Sequence, residues 1–294
     1  MTSVDIMLPF YGDVSLMQLA VRSVVAQTDR EWRLTVVDDG YPDDSIPGWF
    51  ESLGDPRVRY FRNDRNLGAN GNYRKCLTLV EHDLVVMMGA DDVMLPNYVE
   101  WLRSTDAEFP TADIFQPGVH VIDEHGADVD GLVERAKRHY RPKGTGPRAL
   151  TGQELAASLL RGDWLYFPSL AWRADRMLAT GFRQGLDVVQ DLALALDITM
   201  AGGTLVVDDQ VAFNYRRHRA SDSSVRALAG TRFVEERRYF RETARQMDQI
   251  GWKHSARVAR WHLSSRAHAA TCLPAATRSR NWGAFRSLLA HICT

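Results

Sequence analysis

Through the first 120 residues, short apolar runs alternate with segments of helical period. The runs are Val4–Leu8, Leu34–Val37, Val58–Phe61, Leu84–Met88 and Ile114–Phe115, each of a length that suits a buried strand better than a helix. Strands alternating with helices predict an α/β domain with a mainly parallel sheet. Between the first two runs Leu16, Leu19, Ala20 and Val24 share one helical face, and Asp13 stands where an N-cap is wanted. Pro96 suits the first turn of a further helix reaching about Glu108.

The pattern changes after residue 117. Residues 118–150 are rich in charge, Gly and Pro, with Arg135, Lys137, Arg138, His139, Arg141, Lys143 and Arg148, and read as a loop-rich insertion. Helices are expected near 152–161 and 190–201, a strand at 204–207, and helix throughout beyond about 228, including one helix over 253–270. This divides the chain into 1–117, 118–225 as the second half of the same domain, and a helical region 226–294.

With 294 residues, 45% of them hydrophobic and 25% charged, the chain can bury a large core. A formal net charge of −1 gives no overall attraction to nucleic acid, yet the charge is unevenly spread. From Gln249 onward there is no Asp or Glu, while Lys253, Arg257, Arg260, Arg266, Arg278, Arg280 and Arg286 are basic. Two readings of those helices stay open: a peripheral contact with an anionic membrane surface, or packing against the rest of the chain or a second copy in a homodimer. Cys76, Cys272 and Cys293 lack metal-ligand spacing, and their odd number argues against a disulfide framework. A cytoplasmic setting is expected, peripheral at the inner face of the membrane under the first reading. No basic leader precedes Val4. No window reaches the roughly 18 uninterrupted apolar residues of a membrane span.

In α/β sheets ligands bind beyond the carboxyl ends of the strands, which directs attention to the residues at the end of each run. Pro9-Phe10-Tyr11 closes the first and offers an aromatic ring to a nucleobase, or a plain aromatic turn. Asp38-Asp39-Gly40 closes the second, where a carboxylate can accept hydrogen bonds from a base or a ribose, although Asp-Gly also makes ordinary turns. Gly89-Ala90-Asp91-Asp92 closes the fourth. Mg²⁺ and Mn²⁺ prefer oxygen ligands and combine one or two carboxylates with substrate phosphates, so Asp91 can bridge protein to metal and metal to diphosphate. Asp92 equally suits a turn before the next helix. The first turn has no Gly-x-Gly-x-x-Gly, which excludes the dinucleotide fingerprint. It also lacks the Gly-rich basic loop of a nucleotidyltransferase.

Taken in order, Leu8-Pro9-Phe10-Tyr11, Ser23-Val24-Val25-Ala26-Gln27-Thr28, Val36-Val37-Asp38-Asp39-Gly40, Asn63-Asp64-Arg65-Asn66-Leu67-Gly68 and Gly89-Ala90-Asp91-Asp92 resemble the family 2 glycosyltransferases across residues 3–105. The resemblance implies a GT-A fold. It also implies inverting transfer of a sugar from a nucleoside diphosphate, UDP or dTDP favoured, to a hydroxyl of a glycan, lipid-linked or small-molecule acceptor, with Mn²⁺ or Mg²⁺. By the same resemblance Tyr11 and Asp39 hold the base, Pro9 belongs to the same donor site, and Arg65 lies near the diphosphate. Asp91 ligates the metal, flanked by Ala90 and Asp92, and Asn72, with Asn70 and Tyr73, belongs to an Asn-aromatic variant at the donor site.

Further along, Gln190-Asp191 resembles the family's Glu-Asp motif and makes Asp191 the general base, with Asp187 as rival and a helix cap as the plain alternative. Tyr215-Arg216-Arg217-His218-Arg219-Ala220-Ser221 resembles a Tyr-Arg-x-His segment over the donor phosphates. There His218 is a second metal ligand and Arg216 or Arg217 neutralises phosphate, unless the segment is simply a solvated basic turn. Trp164, Tyr166, Phe167 and Trp172 either wall the acceptor or fill the core. Gly89 and Gln190 stand where the family commonly has acids, so the alternative function is a sugar-nucleotide-binding protein of the same fold that no longer transfers.

Overall fold

The computed structural model describes residues 3–218 and 222–293, the side chains of 222–225 excepted. In chain order the first half comprises β1 (Val4–Phe10), α1 (Val14–Val25), β2 (Trp32–Asp38), α2 (Ile46–Leu53), β3 (Val58–Arg62), α3 (Ala69–Leu77), β4 (Leu84–Met87), β5 (Val93–Met94), α4 (Tyr98–Glu108) and β6 (Ile114–Ile122). The second half adds α5 (Leu132–Tyr140), β7 (Arg148–Thr151), α6 (Gly152–Arg161), β8 (Ala171–Arg173), α7 (Ala174–Thr180), α8 (Gln190–Met200) and β9 (Thr204–Arg216). The chain ends in α9 (Asp222–Ala229), α10 (Thr231–Gln249), α11 (Lys253–Trp261), α12 (Leu263–Arg278) and α13 (Trp282–Cys293).

The strands form one sheet in the order β3-β2-β1-β4-β8-β6-β9-β5, with β7 added alongside β9. Its first four strands are parallel. Beyond them β8 runs antiparallel to both β4 and β6, and β5 and β7 run antiparallel to β9. The sheet is therefore parallel where the first apolar runs predict it and mixed in the second half. Successive side chains of a strand point to opposite faces, and here both faces are covered. Met7, Val37, Val85 and Met87 enter one apolar layer, while Ile6, Leu8, Val36 and Val86 enter the other. Burial on both sides is why these strands read as continuous apolar runs. Asp13 caps α1 as expected, accepting from the backbone N–H groups of Ser15 (2.8 Å) and Leu16 (3.0 Å).

Two expectations fail. Residues 118–150 are not mainly loop, since they hold the end of β6, all of α5 and the start of β7. Gln116-Pro117-Gly118 hides the length of β6, because Gly118 sits at a bulge against β9 where a Cβ would lie 2.5 Å from the Asp209 carbonyl oxygen. The helix over 253–270 is two helices, broken at His262, whose φ of 29° leaves the right-handed region. Its ring stacks on Phe240 with centroids 5.0 Å apart.

The apolar packing does not break at residue 225. Tyr239, Phe240 and Met247 of α10 and Ala256 and Ala259 of α11 belong to the same apolar layer as Met7, Val85 and Leu192. A second cluster joins Phe233 of α10 to Ala269, Cys272, Ala276, Ala284 and Leu288 of α12 and α13. Among the described residues, no helix is long and apolar enough to cross a membrane.

Candidate functional site

Paired registers bring Phe10 beside Asp38 and Met7 beside Met87, so β1, β2 and β4 end at one rim of the sheet. A cleft of about 400 Å³ opens there, with Pro9, Tyr11, Asp39, Asn66, Asn72 and Tyr73 among its walls. Tyr11 is 57% exposed and its ring meets Tyr41 edge-on at 5.3 Å. Tyr41 is held in turn by Asp38, which accepts its backbone N–H at 2.8 Å and the Tyr60 hydroxyl at 2.6 Å. More than half of the Tyr11 side chain stays open beside the cleft.

Asp39 has a different occupation from the one the resemblance implies. Its carboxylate accepts from Asn63 Nδ2 (2.8 Å) and from the backbone N–H groups of Leu67 (2.8 Å) and Gly68 (2.9 Å). Three of its roughly four acceptor positions are thus taken by the 63–68 loop. Asn72 is buried and acts as a strut, donating to the Val37 carbonyl at 2.8 Å and accepting from Asn63 at 3.0 Å. Both residues shape the cleft by shaping its loop. Arg65 is exposed and stands outside the cleft walls, and partly buried Ala90 packs on the apolar layer.

The acidic turn after β4 explains its glycine. A Cβ on Gly89 would lie 2.4 Å from Asp92 Oδ2 and 3.1 Å from Asp91 Oδ1, so the Asp92 carboxylate fills the space a first acid would take. Asp92 is 1% exposed. It accepts the Arg216 backbone N–H at 2.7 Å, while its Oδ2 has no partner among the described residues. Burial, reinforced by the Asp91 charge, raises its pKa well above the usual carboxylate value. Asp91 points outward and meets His218 Nε2 at 2.7 Å. Arg216 is not free for phosphate, because its guanidinium donates to the Asp91 and Asp123 carbonyl oxygens. Arg217 is ion-paired at 2.5 Å with Glu134 of α5. Arg219, Ala220 and Ser221, the end of that segment, lie outside the described residues. Among the described residues, no three His, Cys, Asp or Glu side chains form a ready-made metal cage.

Asp191 lies in the first turn of α8. One carboxylate oxygen accepts the Leu192 N–H at 2.8 Å. Burial and the nearby Asp163 charge raise its pKa to about 6, against the opposing effect of Lys137. Tyr73, a wall of the cleft, packs on the apolar layer that contains Leu192, the residue after Asp191, and the Asp191 charge adds to the upward push that burial gives the Tyr73 hydroxyl pKa, so α8 begins near the cleft. Asp187 is engaged elsewhere, accepting from Asn70 Nδ2 at 2.5 Å and pairing with Arg226 at 3.2 Å.

Trp164 and Trp172 are fully buried, and Tyr166 and Phe167 are each 9% exposed. These aromatics are buried, as the core reading expects. Sequence reading missed Lys137 and Asp163. Lys137 lies over the Tyr166 ring at 4.6 Å and donates to the Leu165 carbonyl at 2.5 Å. It was hidden in a basic stretch whose members look alike until the fold selects one.

Comparison with known proteins agrees with this geometry. Residues 5–149 match the family described as Glycosyl transferase family 2. "Uncharacterized protein MT1568" of Mycobacterium tuberculosis (strain CDC 1551 / Oshkosh) is 26% identical over 239 residues, 80% of this chain and 73% of its own. "Putative colanic acid biosynthesis glycosyl transferase WcaA" of Escherichia coli (strain K12) is 27% identical over 95 residues, 32% of this chain and 34% of its own. Among solved structures, S. aureus TarS 1-349 in complex with UDP-GlcNAc superposes with a TM-score of 0.63 at 13% identity, covering 81% of this chain and 65% of that one, just under two thirds. The same TarS fragment in another crystal structure has a TM-score of 0.59 at 14% identity and covers 97% of this chain and 90% of that one. The sheet with its rim cleft is a GT-A-like fold, and just under half of the chain, residues 5–149, is similar to glycosyl transferase family 2.

Proposed function

We propose that the protein is an inverting glycosyltransferase that moves a sugar from a nucleoside diphosphate, UDP favoured, to an acceptor hydroxyl. The observation that carries this is Asp191. It is a carboxylate that releases its proton near pH 6, beside a cleft at the carboxyl ends of three parallel strands. A base with that pKa is ionised at neutral pH yet still holds a proton well, the compromise general-base catalysis favours. Asp191 takes the proton from the acceptor hydroxyl as that oxygen attacks the anomeric carbon, and the bond to the diphosphate breaks on the opposite face.

In the cleft, Tyr11 stacks on the base and Asp39 holds the 63–68 loop around it. The UDP-GlcNAc seen with TarS favours uridine as the first nucleotide to test. The acidic turn suits a divalent cation. Asp91 and His218 offer an oxygen and a nitrogen 2.7 Å apart, and Mn²⁺ or Mg²⁺ completes such a shell with phosphate oxygens and water. When bound, the cation supplies Lewis acidity to the diphosphate leaving group. The space opposite Gly89 is filled by Asp92, so the absent first acid leaves a packed turn, which favours an active enzyme over a binding protein that has lost transfer.

The test is calorimetry of UDP, dTDP and GDP with wild type and Asp91→Asn, each with Mn²⁺, Mg²⁺ or chelator. Metal-dependent binding of one nucleotide, lost in the variant, is the expected result. Absence of binding to all three overturns the donor site.

A further inference from the structure

The segment just before Asp191 is held by a residue from the C-terminal helices. The backbone N–H groups of Asp187, Val188 and Val189 all donate to the Glu235 carboxylate of α10, with distances between 2.7 and 3.0 Å. α8 begins at the next residue, Gln190, and its own N-terminus shows no side-chain cap bond. Glu235 therefore meets the backbone donors of the two residues that lead into α8 and of its N-cap, Val189, and sets a negative charge near the end of the helix where the dipole favours one.

The same segment is gripped from the cleft side. Asn70 of α3 donates to the Leu186 carbonyl at 3.0 Å and to Asp187 Oδ1 at 2.5 Å, and its neighbour Ala69 lines the cleft. Residues 186–189 are thus clamped between the donor-site helix and α10, and Asp191 comes two residues later. α10 brings a second charged group to this region. Arg232 lies within electrostatic reach of Asp163 and Asp191 and is itself fixed by Glu236 at 2.5 Å.

We propose that Glu235 is a positioning residue for Asp191: it holds residues 187–189 in the conformation that aims the α8 carboxylate at the acceptor. This rests on Asp191 being the base. Glu235 is not among the residues that line the cleft, so its loss is expected to act on turnover and not on nucleotide affinity. A misplacement of about 1 Å at a catalytic group is enough to cost about 10²-fold in rate.

The experiment compares Glu235→Ala, Glu235→Gln and Asp191→Asn with wild type in the full chain. Three readouts are taken: UDP affinity by calorimetry, backbone amide exchange at 187–189, and transfer kinetics with the donor that the nucleotide screen selects. For Glu235→Ala we expect at least about tenfold faster exchange at 187–189, kcat lower by about 10–10²-fold, and UDP affinity and donor KM within about twofold of wild type. Glu235→Gln keeps one acceptor oxygen and loses the charge, so its kcat and its exchange at 187–189 should fall between those of the alanine variant and wild type, and that graded change carries the test if the alanine variant does not fold. Faster exchange with unchanged kcat overturns the proposal, as does unchanged exchange. A UDP affinity that falls in parallel with kcat also overturns it, since the brace then serves donor binding. If Asp191→Asn turns over normally while Glu235→Ala does not, it is the base assignment that has failed.

Discussion

Asp191→Asn should abolish transfer and stabilise the fold at the same time. The carboxyl has an unfolded-chain pKa of 3.8 and a folded value of about 6, so the folded state binds the proton more tightly. Stability therefore falls as pH rises from 3.8 to about 6, and the penalty is complete above that window. A rise of about two pH units at about 1.36 kcal/mol each gives an upper figure of about 3 kcal/mol. The side chain is partly exposed, and solvent screening brings this to about 1–3 kcal/mol. Asparagine keeps the shape and never ionises. For a chain of this size the gain corresponds to a Tm higher by about 2–6 °C at neutral pH. The gain shrinks to nothing toward about pH 4, where the wild-type carboxyl is itself protonated. Scanning calorimetry of both proteins in steps from about pH 4 to about pH 8 reads this directly, beside transfer rates. The rates should fall by at least about 10²-fold in the variant and, in wild type, rise with pH through about 6. A variant that melts below wild type at neutral pH, or a wild-type rate flat across that window, would refute the burial argument.

Restoring the family's acid with Gly89→Asp should harm the protein, because the new Cβ meets Asp92 Oδ2 at 2.4 Å. The expected loss is about 1–3 kcal/mol from overpacking, with weaker Mn²⁺-dependent UDP binding. Stability equal to wild type in a thermal melt would show that Asp92 gives way freely. Tyr11→Ala removes a largely exposed ring, so stability should change by less than about 0.5 kcal/mol. UDP affinity should drop by about 3–10-fold, the worth of an aromatic stack, and calorimetry showing no drop would remove Tyr11 from the donor site.

The sequence made the first half of the molecule legible because its strands are buried on both faces and its polar residues cluster where those strands end. Tyr11, Asp39 and Asp91 could be found from that rule alone. What Asp39 does could not, since its three donors come from a loop 24 to 29 residues away. The same holds for Arg217, whose partner Glu134 lies on a helix that a basic, Gly- and Pro-rich stretch disguised as loop. α5 buries Glu134 and no apolar residue, so it lacks the apolar stripe by which a helix is recognised. Glu235 was equally silent. One more acid on a charged helix carries no sign that three backbone N–H groups converge on it.

The apolar layer that begins in β1 ends only in α11, and α10 faces two cores at once, Tyr239 and Met247 in one and Phe233 in the other. That arrangement sets which parts of the molecule can be exchanged. A chimera joined before α10 would strip the sheet of one of its covers and the α8 lead-in of its anchor. The α12–α13 hairpin rests on α10 through a separate cluster, and the bend at His262 that leads into it is where a lineage could swap the tail and keep the catalytic body whole.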